Sequence, residues 1–286
     1  MLNSIRSKQV TVIVVMLSLA GFLFTREVKG LVKPKEAAKT TATSQNPDDH
    51  SSTFTIEEAS SIGLSSISAA LSKEIKILEN TFKRSSGNDQ LVQAKQLAQK
   101  WDDVEQPMPS AMYLEIVANN EPILSNWVAA GTRFLKAFDN TSDSLIRPAL
   151  LNKAHQSFTK AMALDSTNIE AKTGLGVTIV SGMGAPMMGI QMLREVVEKE
   201  PKNLKANMSL GIFAIQSGQF DKAITRFNTI IETIKETPDA YFYLGRAYES
   251  LGQNKPAVSA YLNSKKLAAN PTWSSFIDKK VAELKN

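Results

Sequence analysis

Chemistry at a protein site needs partners at fixed spacing, and the residue types that could supply it are sparse in this chain of 286 residues. Cysteine is absent, which removes disulfides, thiolate metal sites and thiolate nucleophiles. The two histidines, His50 and His155, each lack a partner at metal-ligand spacing, so a solvated or structural role is expected for both. Gly174-Leu175-Gly176 and Gly182-Met183-Gly184 have the glycine density of a phosphate-binding loop. No strand pattern precedes them and no Lys-Ser/Thr pair follows, so they are expected at helix contacts and turns. Asp102-Asp103 falls at a helix end, where solvated charge or capping explains it. Asn140-Thr141-Ser142 and Asn207-Met208-Ser209 match the glycosylation triplet, a pattern short enough to arise by chance. No catalytic set, cofactor or metal site is expected. The chemistry left to this sequence is recognition.

The elements that would position recognition residues announce themselves by repetition. The segment Asn207-Met208-Ser209-Leu210-Gly211-Ile212-Phe213 returns 34 residues later as Tyr241-Phe242-Tyr243-Leu244-Gly245-Arg246-Ala247. Behind each Leu-Gly comes an alanine with an aromatic four residues on, Ala223 with Phe227 and then Ala257 with Tyr261. Small residues at such places let two helices approach, and the large residues fill the gaps beside them. A fixed period of this length marks an array of helix pairs.

These residues resemble the tetratricopeptide repeat (TPR) family, whose two-helix unit carries Leu-Gly on its first helix and Ala with a later aromatic on its second. Leu210, Gly211, Ala223 and Phe227 carry one copy; Tyr241, Leu244, Gly245, Tyr248, Ala257 and Tyr261 carry the next. An earlier copy begins at Leu175-Gly176 and continues through Gly189, Leu193 and Pro201, with an enlarged inter-helix turn at 181–186. The first copy has Trp127, Ala130, Gly131 and Phe134 on one helix and Ala154, Phe158, Ala161 and Leu164 on the other, separated by an insertion over 139–147. The resemblance implies an all-α TPR-type solenoid of four units, at about 122–168, 169–202, 203–237 and 238–270, within 120–270.

It also implies where a ligand would lie, because first helices of this family line the concave side. Carried over position by position, this gives a peptide groove of Thr173, Val177, Val180, Lys205, Met208, Ile212, Ile215, Phe242, Arg246 and Glu249. The family's Lys/Asn/Arg clamp for a terminal carboxylate is replaced by Thr173, Met208 and Phe242, which disfavours that ligand. The remaining floor is apolar and suits an amphipathic helix or an extended apolar peptide. The alternative is that several of these residues are core between adjacent helices, which periodicity does not separate.

The net charge of +5 does not point to nucleic acid. Residues 1–35 hold six Lys or Arg against one acid, Glu27, and the remaining basic and acidic residues cancel. Residues 1–8 form a basic tail, and 9–25 carry an apolar run expected to be a single transmembrane anchor. At ~1.5 Å per residue the run 10–24 spans about 23 Å, short of a ~30 Å hydrocarbon core unless Lys8 and Arg26 snorkel. A cleaved signal peptide ending near Ser18-Leu19-Ala20 is the alternative, and a buried core helix a third. Basic residues flank both ends, so charge does not fix orientation. The tail, anchor, linker and repeats together look like bacterial inner-membrane proteins of this family with the body in the periplasm.

Residues 26–54 form a polar, flexible linker by composition. Residues 55–119 make an N-terminal helical capping region. In it Leu64, Ile67, Leu71, Ile75, Leu78 and Phe82 predict one amphipathic helix over 55–82, started by a Thr55–Glu58 capping box. A second helix is expected over 89–103, then a break at Pro107 and Pro109 and a short helix near 111–119. Residues 271–286 read as a closing helix. The function expected is a membrane-tethered scaffold for a protein or peptide partner. The alternative is a structural envelope protein dimerising through helix 55–83, with no specific peptide. A third arrangement seats the Leu64–Phe82 stripe in the chain's own groove.

Overall fold

The computed structural model describes residues 54–285, which belong to the compact unit His50–Asn286. They form thirteen α-helices and contain no strand. The expected anchor at 9–25 and nearly all of the linker lie outside the described residues. Among the described residues no helix is long and apolar enough to cross a membrane.

Four helices come first: α1 (Ile56–Ser65), α2 (Ala69–Arg84), α3 (Gly87–Asp103) and α4 (Pro107–Asn120). Four antiparallel pairs follow, α5 (Leu124–Asn140) with α6 (Arg147–Leu164), α7 (Ile169–Val180) with α8 (Pro186–Lys199), α9 (Leu204–Gln216) with α10 (Phe220–Thr229), and α11 (Pro238–Ser250) with α12 (Asn254–Leu267). A π-helical turn, Ile230–Ile234, extends α10, and α13 (Pro271–Lys285) closes the array.

Local chemistry sets the pair boundaries. The first helices α7, α9 and α11 open on Asn168, Asn203 and Thr237, whose side-chain oxygens accept from the N–H of Ala171, Ala206 and Ala240 at 2.9, 3.0 and 3.1 Å. Each such bond satisfies a donor with no partner inside the helix. After α9 and α11 the chain reverses through Gly218 and Gly252, with φ of 72° and 70°, a conformation that suits glycine.

Within pairs, the repeated glycines are where the helices meet. A Cβ on Gly211 would stand 2.7 Å from the Phe227 ring, one on Gly245 2.7 Å from Tyr261, and one on Gly176 3.0 Å from Leu193. Phe158 serves two pairs, since a Cβ on Gly131 would meet its ring at 2.9 Å and one on Gly174 at 2.2 Å. The rings of Phe158, Phe227 and Tyr261 are fully buried.

From α2 onward consecutive helices pack against one another, α1 packing instead on α4, and each first helix also touches the next first helix, α5 with α7, α7 with α9 and α9 with α11. The second helices make no comparable contacts with one another. First helices therefore form a continuous inner layer, and second helices an outer layer with gaps.

Three expectations for the N-terminal region are corrected. The stripe over 55–82 belongs to two helices, because Ser65, Ser66 and Ser68 break the chain between α1 and α2. The hydroxyls of Ser65 and Ser66 donate to the Ile62 carbonyl at 2.7 and 3.3 Å, and Ser68 Oγ accepts from the Leu71 N–H at 3.4 Å. The stripe does not occupy the chain's own groove: Leu64, Ile67, Ile75, Leu78 and Phe82 pack in one cluster with Leu97, Trp101 and Tyr113. Pro107 begins a helix where a break and a later start were expected, since a first-turn residue needs no N–H partner. The Thr55–Glu58 capping box is present, with the Glu58 N–H 3.2 Å from Thr55 Oγ1 and the Thr55 N–H 2.8 Å from Glu58 Oε2.

Candidate functional site: the inner groove

The inner layer encloses an open cavity of about 880 Å³ along α7 and α9, bounded by the ends of α5 and α11. Its apolar wall comes from Val177 and Val180 on α7 and from Met208, Ile212 and Phe213 on α9. Val177 is nearly buried, while Val180, Met208 and Ile212 are half-buried. Such side chains lie one turn apart on helix faces turned to the cavity, the spacing at which α-helical neighbours share a surface.

Charge rims this wall. Lys205 stands at the start of α9, Asp139 at the end of α5, Arg147 at the start of α6 and Asp239 at the start of α11. Lys205, Asp139 and Asp239 keep solvent-accessible surface, and none is in an ion pair among the described residues. The surrounding walls nevertheless displace water on several sides. That desolvation raises the Asp139 pKa, against opposing attraction from Lys205 and Arg147. It lowers the Lys205 pKa, against opposing attraction from Asp139 and Glu170. Arg147 is held in place: Nη1 donates to the carbonyls of Phe138 and Thr141 at 3.2 and 3.0 Å, and the guanidinium lies 3.9 Å from the Phe138 ring centroid.

The ten residues expected to form the groove divide. Val177, Val180, Lys205, Met208 and Ile212 line the cavity together. Thr173 is buried, its hydroxyl donating to the Ile169 carbonyl at 2.7 Å, and Ile215 is core beside Ala223 and Phe227. Phe242 packs on the closing helix, 5.0 Å from the Trp273 ring and 6.0 Å from Phe276. Glu249 accepts from Lys280 Nζ at 2.9 Å and from the Tyr261 hydroxyl, which holds its pKa down despite burial. Arg246 is exposed at the margin, 5.8 Å from the Tyr243 ring. Asp139, Arg147 and Tyr243 line the cavity without having been expected to. Asp139 carried one signal: an acid in the last turn of a helix opposes the helix dipole, an arrangement that favours cations.

His50 lies outside the described residues, and His155 is tied to a neighbouring helix. His155 Nδ1 lies 3.0 Å from Thr178 Oγ1, and that hydroxyl donates to the Leu175 carbonyl at 2.8 Å, so the imidazole is the donor. Burial lowers the His155 pKa. Among the described residues no group of three or more His, Asp or Glu could hold a metal ion.

Residues 189–244 match the family model described as tetratricopeptide repeat. The chain is 31% identical over 119 residues to anaphase-promoting complex subunit 3 of Dictyostelium discoideum; the match spans 41% of this chain and only 12% of that protein's length. The fold is similar to a tetratricopeptide repeat protein of Parabacteroides merdae, with a TM-score of 0.56 at 10% identity, over 81% of this chain and 84% of that one. It is similar also to the Thermus thermophilus TPR protein TTC0263, with a TM-score of 0.53 at 15% identity, over 68% and 98%. PilW, described as a widely conserved type IV pilus biogenesis factor, gives 0.54 at 16% identity, over 69% and 87%. The Leu-Gly and Ala-aromatic periodicity, the stacked helix pairs and these likenesses agree: residues 189–244 match the tetratricopeptide repeat, within an all-α solenoid whose fold is similar to that of tetratricopeptide repeat proteins.

Proposed function

We propose that this protein is a scaffold that holds a protein partner in the inner groove, through an amphipathic helix or an apolar peptide, while residues 9–25 tether it to a bacterial inner membrane. One observation carries the reading. An apolar wall of Val180, Met208 and Ile212, backed by the buried Val177, remains open to solvent inside a cavity of about 880 Å³, rimmed by the charges of Asp139, Lys205 and Asp239, which are in no ion pair among the described residues. Open apolar surface between charges of both signs suits a segment with one greasy and one polar face. The partial relative named as a subunit of a multiprotein complex supports a protein partner.

The test is site-directed photocrosslinking in cells from position 208, with position 255 on the exposed start of α12 as reference. Adducts formed from 208 alone, and removed by Ile212→Glu without loss of far-UV helicity, support the groove. The same adducts from both positions, or adducts indifferent to Ile212→Glu, overturn it.

The tether reading has its own readout. The full chain is expected in the membrane fraction and resistant to carbonate extraction, and deletion of residues 1–25 releases the body. An alkaline phosphatase fusion at the C-terminus reports the side, with activity expected for a periplasmic body.

A further inference from the structure

The outer layer holds a second concavity. Because α8 and α10 do not pack on one another, the gap between them stays open, about 660 Å³ in volume, over the outward face of α9. Ile190, Val197 and Leu210 give it an apolar floor. Two arginines border it, Arg194 on α8 and Arg226 on α10.

Those arginines lack what arginines in a folded protein usually find. Arg226 is half-buried and its Nη1 donates to the buried Asn207 Oδ1 at 2.7 Å, which fixes the guanidinium in place. No carboxylate of the described residues lies within salt-bridge distance of either arginine. The two cations act on each other: desolvation, and then repulsion from Arg194, lower the Arg226 pKa. Lys222 adds a third cation to the lining, against a single acid, Asp221. At the mouth stands Met187, 69% exposed, beside Met188 at 53%, both in the first turn of α8. Exposed methionines are flexible and polarizable, and suit surfaces that adapt to a ligand.

We infer that this outer cleft is a second peptide-binding site, whose ligand carries an aspartate or glutamate flanked by apolar side chains. The carboxylate supplies the anion that Arg194 and Arg226 lack, in the fork geometry guanidinium groups favour. The apolar flanks cover Ile190, Val197 and Leu210 and meet Met187. The site lies on the other side of α9 from the groove of the proposed function, Phe213 alone bordering both, and does not depend on it.

The probe is a random peptide library displayed on phage and selected on the full-length chain. Selected peptides are expected to share an acid between apolar residues. Binding of one such peptide should weaken at least about tenfold with Arg194→Glu, the loss expected for a charge-assisted pair. Arg194 makes no side-chain hydrogen bond or ion pair among the described residues, so this variant should keep its helicity, and Arg194→Ala gives a milder check in the same direction. Ile212→Glu, in the inner groove, should leave the peptide bound. The inference is overturned if no sequences are enriched, if those enriched show no acidic preference, or if binding survives Arg194→Glu. It is overturned equally if Ile212→Glu abolishes binding, since the peptide then belongs to the inner groove.

Discussion

Gly211 and Phe227 are one contact written twice, a missing Cβ on one helix and a ring on the next. Phe227→Ala should destabilise by roughly 3 to 5 kcal/mol, measured by urea denaturation, because the ring is fully buried and its neighbours can only partly collapse. Asp139 should behave in the opposite way. Its folded-state pKa is raised, so the charged form is disfavoured by folding and its cost is largest above that pKa. Asp139→Asn is therefore expected to raise Tm slightly at neutral pH while weakening the groove's ligand, a separation seen by calorimetry and binding together. For His155 the folded pKa is lowered, so stability is full above the unfolded pKa of about 6.5 and declines as pH falls through it. His155→Gln should flatten the stability profile between neutral pH and about pH 5. The glycine and aromatic pairs were legible because each is fixed by sterics at one spacing. Asp139 and Arg147 were not, because the insertion that carries them breaks the period from which groove positions are counted.

At the scale of elements, a continuous apolar stripe did not distinguish one helix from two. Ile67 lies in the break between α1 and α2 and still packs in the same cluster as Ile75 and Phe82, so the spacing survived while the backbone turned. Burial of that stripe leaves Ile62 and Ile77 as the large apolar side chains that α1 and α2 expose, and dimerisation through 55–83 would have to use them. The closing helix was legible as a closing helix, yet its reach was not. Trp273 and Phe276 meet Phe242, and Lys280 pairs with Glu249, so two residues expected on the groove serve the end of the array. Ile277, fully buried under α12, tests that role: Ile277→Ala should cost about 2 to 5 kcal/mol in chemical denaturation. Loss of less than ~1 kcal/mol would mean that α13 is only laid against the last pair.

At the scale of the chain, charge is divided along the sequence. The whole excess of +5 sits in residues 1–35, and the rest is balanced. The described body, residues 54–285, carries only a small excess of 26 basic over 24 acidic residues, and its two concavities differ in local sign, mixed on the inner layer and basic on the outer. Phe158 joins the units of that body most closely, its ring wedged against Gly131 of one pair and Gly174 of the next. A domain wall between those two units would leave that ring half in water, so neither can open while the other stays shut. Amide hydrogens of α5 and α7 should accordingly exchange with solvent as a single kinetic class, and Phe158→Leu should split that class into two.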